Sequence, residues 1–299
     1  MLSGGDALKA GVFFGNVRRA PSALTPVRRG STTLRHPLAS LSPGPRGDGV
    51  EPWHTGELLG FDFETTGVDR CSDVPVSFAL LRSVNGEIIE HIVGLIDPGR
   101  DVPEEATAIH GITTERARAE GQPLADALEM IADVVADAAR RAVPVVGMNV
   151  GFDLSILHHQ LERLGAPGLI GRNWRGPVLD VLVLDRHLDR WRPGKRRLER
   201  LCAHYGVELS TSHDAGADAA ATLAVLGALC RCYPRLCTTD LEVLSVCQAR
   251  WHREWAVSYD AWRARKALSR LEPSEFCWPL AGYELFGDTL HEERLAALA

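Results

Sequence analysis

The chain has 299 residues, 45% of them hydrophobic and 24% charged, which fits a soluble globular domain with sizeable appendages. Its net charge of −6 excludes a protein held to nucleic acid by bulk positive charge, so such binding needs a local basic patch or cations on an acidic site. No apolar run approaches the roughly 20 residues of a membrane helix, and seven cysteines without a regular framework or a secretion signal point to a reducing cytoplasm.

Residues 1–56 are expected to be an unstructured extension. The stretch 15–50 is rich in Arg, Pro, Ser, Thr and Gly and nearly free of acids, a composition shared with organellar transit peptides. From Glu57 the character changes. Leu58 to Glu64 is a short apolar run ending in acids and a Thr-Thr-Gly turn, which predicts a buried strand. Val76 to Val84 and Ile88 to Ile96 read as two more strands, joined by the hairpin signal Asn85-Gly86. Pro123 opens a helix to about Ala139 with apolar residues on one face. Val143 to Gly147 is a further strand, followed by a helix over Leu154 to Leu164. Val178 to Val183 begins as a strand and passes into a helix, and Leu198 to Tyr205 and Ala215 to Cys230 are helical. The pattern predicts an α/β domain over 57–232 with a mixed five-stranded sheet flanked by helices. A helical extension over 238–299 follows, with one long amphipathic helix to about Leu268.

Asp62 and Glu64 are two apart on a strand, so they project from one face, roughly 7 Å apart, while Phe61 and Phe63 face the core. Acids so placed at the end of a buried strand are costly unless a cation neutralises them. Oxygen donors of this kind suit magnesium or manganese rather than zinc or copper. Asp153 follows the strand at Val143 to Gly147, where a helix begins. Taken singly it is a helix-start acid, but its carboxylate points from the same sheet edge. Asn149 and Phe152 share its turn, suited to bonding a substrate hydroxyl or phosphate and to packing under a base. His213 and Asp218 flank another helix start. Asp214 is the better cap there, although Asp214 and Asp218 share a face. A histidine beside a carboxylate cluster is a natural general base. The assembled chemistry is phosphodiester hydrolysis with two cations about 4 Å apart clamping the scissile phosphate.

These segments resemble the DEDD exonucleases of the subgroup with a histidine in the third motif (DEDDh), which includes the epsilon proofreading subunit of bacterial replicative polymerases, RNase T and oligoribonuclease. The resemblance covers about Leu58 to Leu229. The motifs are Asp62-Phe-Glu64-Thr-Thr-Gly67, Asn149-x-x-Phe152-Asp153 and His213-x-x-x-x-Asp218, with His110-Gly-Ile-Thr113 at the terminal-nucleotide pocket. It implies a ribonuclease-H-like fold and 3′-to-5′ hydrolysis of single-stranded DNA or RNA ends, with DNA favoured and nucleoside 5′-monophosphates released. Asp62 is then expected to bridge two Mg²⁺ or Mn²⁺ ions, Glu64 and Asp218 to bind the ion that activates water, and Asp153 to hold the other. His213 is the expected base. Thr65 and Thr66 would contact the terminal nucleotide through their backbone, and His110 and Ile112 would line its base or sugar. A DNA polymerase is a possible partner; an RNA-processing enzyme of the same fold and a non-catalytic tethering module are the rival readings.

Three features lie beside the motifs. Arg172, Arg175, Arg186, Arg190, Arg192, Lys195, Arg196, Arg197 and Arg200 form the densest basic stretch, either a phosphate track or a solvated face. Trp251, Trp255 and Trp262 share a helical face, either stacking bases or docking the helix. Cys230, Cys232 and Cys237 lack the usual zinc spacing and an obvious fourth ligand, so they read as ordinary thiols.

Overall fold

Alternation of apolar and acidic residues makes the strand on which the sheet is built. In β1 (Glu57–Thr65) Phe61 and Phe63 are buried on one face, and Asp62 and Glu64 are half-buried on the other. The chain is described here from a computed structural model over residues 52–210 and 212–286, with a 3-10 turn at Trp53–Thr55 preceding β1. The expected extension ahead of Pro52 lies outside the described residues.

β2 (Pro75–Val84) and β3 (Glu87–Asp97) form the expected hairpin, and both Asn85 and Gly86 take positive φ, as a tight reversal of this hand requires. α1 (Glu104–His110) and α2 (Thr114–Glu120) follow, the second capped by the Thr113 hydroxyl, which accepts from the Arg116 N–H at 3.2 Å. β4 is only Gln122–Pro123, and α3 (Leu124–Arg140) buries Leu128, Ile131 and Val135. Next come β5 (Val145–Gly147), α4 (Val150–Arg163), β6 (Val178–Asp180) and α5 (Val181–Leu188). α6 (Leu198–Tyr205), α7 (Ala215–Cys232), α8 (Pro234–Thr238) and α9 (Leu241–Arg265) complete the order. The long C-terminal helix starts at Leu241, not Thr238, because Asp240 caps it with bonds from the Glu242 and Val243 N–H groups.

The sheet has six strands in the order β4-β3-β2-β1-β5-β6, mixed in direction. β1 runs antiparallel to β2 and parallel to β5. Five strands were expected; the sixth is β4, whose Gln122 and Pro123 pair with Ile96 and Asp97. A two-residue strand leaves no periodicity to read. Gly121 permits the pairing, since a Cβ there would lie 2.4 Å from the Asp97 nitrogen and 2.3 Å from the Ala117 oxygen. α7 is apolar enough over its 18 residues to be read as a membrane span by length and composition, yet over half of it is buried. It packs on β1 so closely that a Cβ on Gly60 would meet Leu223 at 2.8 Å. The result aligns the C-terminal ends of β1 and β5 and the first turns of α4 and α7 at one end of the sheet.

Glu57 ties three elements together at the opposite end, bonding Arg82 of β2 and Arg141 after α3 at 2.8 Å each. The Arg141 and Arg82 hydrogen bonds hold its carboxyl down at about 2. A depressed carboxylate pKa contributes stability that is complete above the unfolded value of 4.5 and fades as pH falls towards 2. In chemical denaturation, Glu57→Gln is expected to lose about 1 kcal/mol at pH 6, with the gap to wild type closing between those two pH values. Gly121→Ala is expected to lose at least about 2 kcal/mol, because backbone rather than a flexible side chain occupies the space.

Candidate active site

Four carboxylates from three elements meet at this end of the sheet. Asp62 is raised well above the usual carboxylate range by burial, then by the charges of Asp153, Glu64 and Asp218. Burial, followed by Asp218 and Asp214, pushes Glu64 up to about 7. Asp153, in the first turn of α4 and 4% exposed, is likewise raised by burial, and the Phe63 N–H opposes this by donating to its Oδ1 at 3.1 Å. That bond links the second motif to the strand of the first. Asp218 rises to about 6 through burial, opposed by the His213 N–H, which donates to its Oδ2 at 3.2 Å. Asp214 caps α7 by accepting from the Ala217 N–H at 2.9 Å, leaving Asp218 one turn in as expected.

Glu64, His213 and Asp218 each present a ligand atom within 4.8 Å of the others. The Oδ1 of Asp218 is buried with no hydrogen-bond partner among the described residues. An orphaned carboxylate oxygen amid mutually repelling carboxylates is the donor set that a hard divalent cation fits. His213 takes a positive φ of 63° and is exposed, with its Nε2 3.7 Å from the Glu199 Oε1 of α6. Glu199 was not singled out in sequence because a charged residue on a short surface helix carries no distinguishing signal.

The remaining predicted residues surround this cluster unequally. The Thr65 hydroxyl donates to the Gly67 carbonyl at 2.7 Å. Thr66 turns inward, its hydroxyl donating to Asp73 and accepting from the Val74 N–H while its own N–H donates to the Val74 carbonyl at 2.9 Å, so neither its side chain nor its N–H is left for a substrate. His110 interacts with the Thr65 backbone and feels the charge of His213, which brings it to the cluster; burial lowers its pKa. Its Nδ1 accepts from the Ile112 N–H at 3.1 Å. The Ile112 side chain, 5% exposed, packs with Val76, Val102, Ala106 and Ala117. Ile112 thus orients His110 through its backbone while its side chain fills the core. Asn149 holds a left-handed φ of 67° ahead of α4, and Phe152 is half-buried beside it.

Sequence reading missed what fixes that turn. Asp180 is buried, and its Oδ1 accepts from Asn149 and Leu182 N–H groups at 3.0 Å, while its Oδ2 accepts from the Trp278 indole at 3.3 Å. Gln248 of α9 accepts from the Asp180 N–H at 2.8 Å, and the Ala281 N–H donates to the Ser155 hydroxyl of α4 at 2.9 Å. The C-terminal segment therefore braces β6, whose Asp180 holds Asn149, and α4, which carries Asp153. The sequence assigned Asp180 no role, and its partner Trp278 lies 98 residues away.

Two of the arginines suggested as a phosphate track are committed elsewhere. Arg192 and Arg196 bond the fully buried Asp185 at 2.6 and 2.9 Å, and Tyr205 donates to the same carboxylate at 2.8 Å. The tryptophans mainly dock α9. Trp251 is buried and stacks on His187 at 3.8 Å, and Trp255 lies between the Arg186 guanidinium and Tyr259. Trp262 stacks on Tyr259 and is 40% exposed.

A sequence model of the RNase T type, described as an exonuclease, matches residues 59–226, over half of the chain. The chain belongs to this exonuclease family. Similar proteins include the PolC-type DNA polymerase III of Lacticaseibacillus paracasei, 30% identical over 184 residues, or 62% of this chain and 12% of that protein. The PolC-type polymerase of Streptococcus suis is 33% identical over 164 residues, or 54% and 10%. Among solved structures, E. coli exonuclease I in complex with a dT13 oligonucleotide has 28% identity and a TM-score of 0.52, over 60% of this chain and 42% of that one. A zinc-bound complex of the same enzyme with single-stranded DNA has 26% identity and a TM-score of 0.54, over 67% and 43%. The chain thus spans only 10–12% of these polymerases' length and under half of exonuclease I. The fold is the mixed-sheet, ribonuclease-H-like fold of these exonucleases.

Joint replacement of Arg192 and Arg196 by alanine strips two cations from a buried carboxylate. It is expected to lower unfolding free energy by about 3 kcal/mol or more. The salt dependence of oligonucleotide binding should be unchanged, because neither guanidinium is free to meet a phosphate.

Proposed function

We propose that the chain is a 3′-to-5′ exonuclease that hydrolyses the terminal phosphodiester bond of single-stranded nucleic acid and releases nucleoside 5′-monophosphates. The observation that carries this reading is the convergence of Asp62, Glu64, Asp153 and Asp218 around an unpartnered carboxylate oxygen, with His213 at its exposed side. DNA is the favoured substrate, since the similar exonuclease I is recorded with DNA oligonucleotides. The PolC-type relatives make a DNA polymerase the first protein partner to test.

Asp62, Glu64, Asp153 and Asp218 would hold two divalent cations, Mg²⁺ or Mn²⁺, which supply positive charge to the scissile phosphate and lower the pKa of an attacking water. Asp62 feels the charges of all three other acids, so it would help hold both cations. His213, exposed beside Glu64 and Asp218, would take the proton of the attacking water. Glu199 would steady the imidazolium that results. His110, its Nδ1 committed to the Ile112 N–H, would present Nε2 to the terminal nucleotide beside the Thr65 and Thr66 backbone. Asn149 and Phe152 would bind and pack against that nucleotide, held by the Asp180 brace.

On a 5′-labelled oligonucleotide with Mg²⁺ or Mn²⁺, stepwise shortening from the 3′ end is expected, with no cleavage of a 3′-blocked strand. Asp62→Ala should lower the rate by about 10³-fold or more with an unchanged circular dichroism spectrum. His213→Ala should lower it by about 10²-fold or more while cation binding persists. Full activity in excess chelator would overturn the mechanism, and parallel DNA and RNA substrates assign the sugar preference.

A further inference from the structure

A second cluster of ligand atoms shares no residue with the carboxylates. The sulfurs of Cys230, near the end of α7, and Cys237, in α8, come together with the imidazole of His54, in the turn ahead of β1. Their ligand atoms all lie within 4.8 Å of one another. Both cysteines are buried and free, and they are hydrogen-bond partners of each other. The His54 Nδ1 is buried and has no hydrogen-bond partner among the described residues. A buried imidazole nitrogen with no partner is costly, and this imidazole lies beside two thiols.

The neighbouring residue explains why His54 is held there. The Trp53 indole donates to the carbonyls of Leu236 and Thr239 at 3.2 and 3.1 Å, on either side of Cys237 and Thr238. This clamp fixes the 53–55 turn over α8, and the Trp53 and His54 rings meet edge to face at 5.9 Å. Cys232 is exposed and plays no part, so the sulfur pair is C-x6-C with a histidine from 176 residues earlier in the chain. Such a set has no sequence signature, because neither its spacing nor its third member is local.

We propose that His54, Cys230 and Cys237 form a second metal site that takes zinc. Thiolate and imidazole donors select a borderline-soft cation, whereas the carboxylate cluster suits hard ones, so the chain would sort two kinds of metal between two sites. Binding releases the two thiol protons to solvent, and three protein ligands leave the fourth tetrahedral position to a water. The site joins the segment ahead of β1 to the α7–α8 corner. Its effect is on stability, and it stands whether or not the nuclease reading does.

The test is the zinc content of full-length protein prepared with reductant and without chelator. To keep the carboxylates from contributing, it is measured in Asp62→Ala and then in that variant carrying Cys237→Ser or His54→Ala. About one zinc per chain is expected in the first, and at most about a tenth of that in the other two. Zinc removal should lower the melting temperature of the first by at least about 5 °C and leave His54→Ala unmoved. His54 is half-buried, so its alanine variant should fold even if Cys237→Ser does not; in an otherwise wild-type background it should keep oligonucleotide hydrolysis within about two-fold of wild type. Zinc absent from Asp62→Ala, or present and indifferent to His54→Ala, overturns the proposal.

Discussion

Repulsion among the carboxylates at the C-terminal end of β1 is the constraint on which the rest of the structure turns. Asp62 feels Asp153, Glu64, Asp218 and Asp214, all of the same sign, and burial strengthens each interaction. Backbone N–H groups oppose this repulsion in part. Phe63 donates its N–H to Asp153, and His213 offers Asp218 its N–H and its charge. Like charges gathered in a half-buried site are tolerated when a cation joins them, and otherwise one or more must stay protonated. The fold supplies rigidity against that repulsion through the paired strands beneath Asp62 and Glu64, with α7 closely packed on Gly60.

The part of the chain beyond α8 takes a direct share in this. Asp180 spends its lone pairs on Asn149, on the start of α5 and on Trp278, and Gln248 secures its backbone. A left-handed asparagine before a helix is a strained start that persists only where its surroundings hold it. Here the hold comes from segments distant in sequence. The basic stretch around Arg192 and Arg196 serves a similar internal purpose, since it neutralises Asp185 in the interior.

Much of the site was legible in the sequence because each motif has a local pattern. Alternation put Asp62 and Glu64 on one face; Asp214 was the better cap candidate, but it shares a face with Asp218, and the structure's Asp214 cap is what separates the two. The hairpin was marked by Asn85-Gly86, and α6 was readable to its ends. What stayed hidden depends on contacts without periodicity. β4 is two residues long, α1 and α8 are short, and the partners of Asp180 and His54 come from far along the chain. Composition also misled in one respect: a dense run of arginine looked like a surface, and two of its members are buried counter-ions. Ile112 likewise reads as a pocket residue by its motif but fills a small core cluster.

The central claim is that the four carboxylates are a cation site rather than a cluster of ordinary surface acids. Thermal unfolding of wild type and Asp62→Asn, each with and without Mg²⁺ or Mn²⁺, tests it most directly. The account predicts that the cation raises the melting temperature of the wild type, that Asp62→Asn without metal is more stable than wild type without metal, and that the variant responds little to added metal. A wild-type melting temperature indifferent to both cations, together with a variant no more stable than wild type, would contradict it.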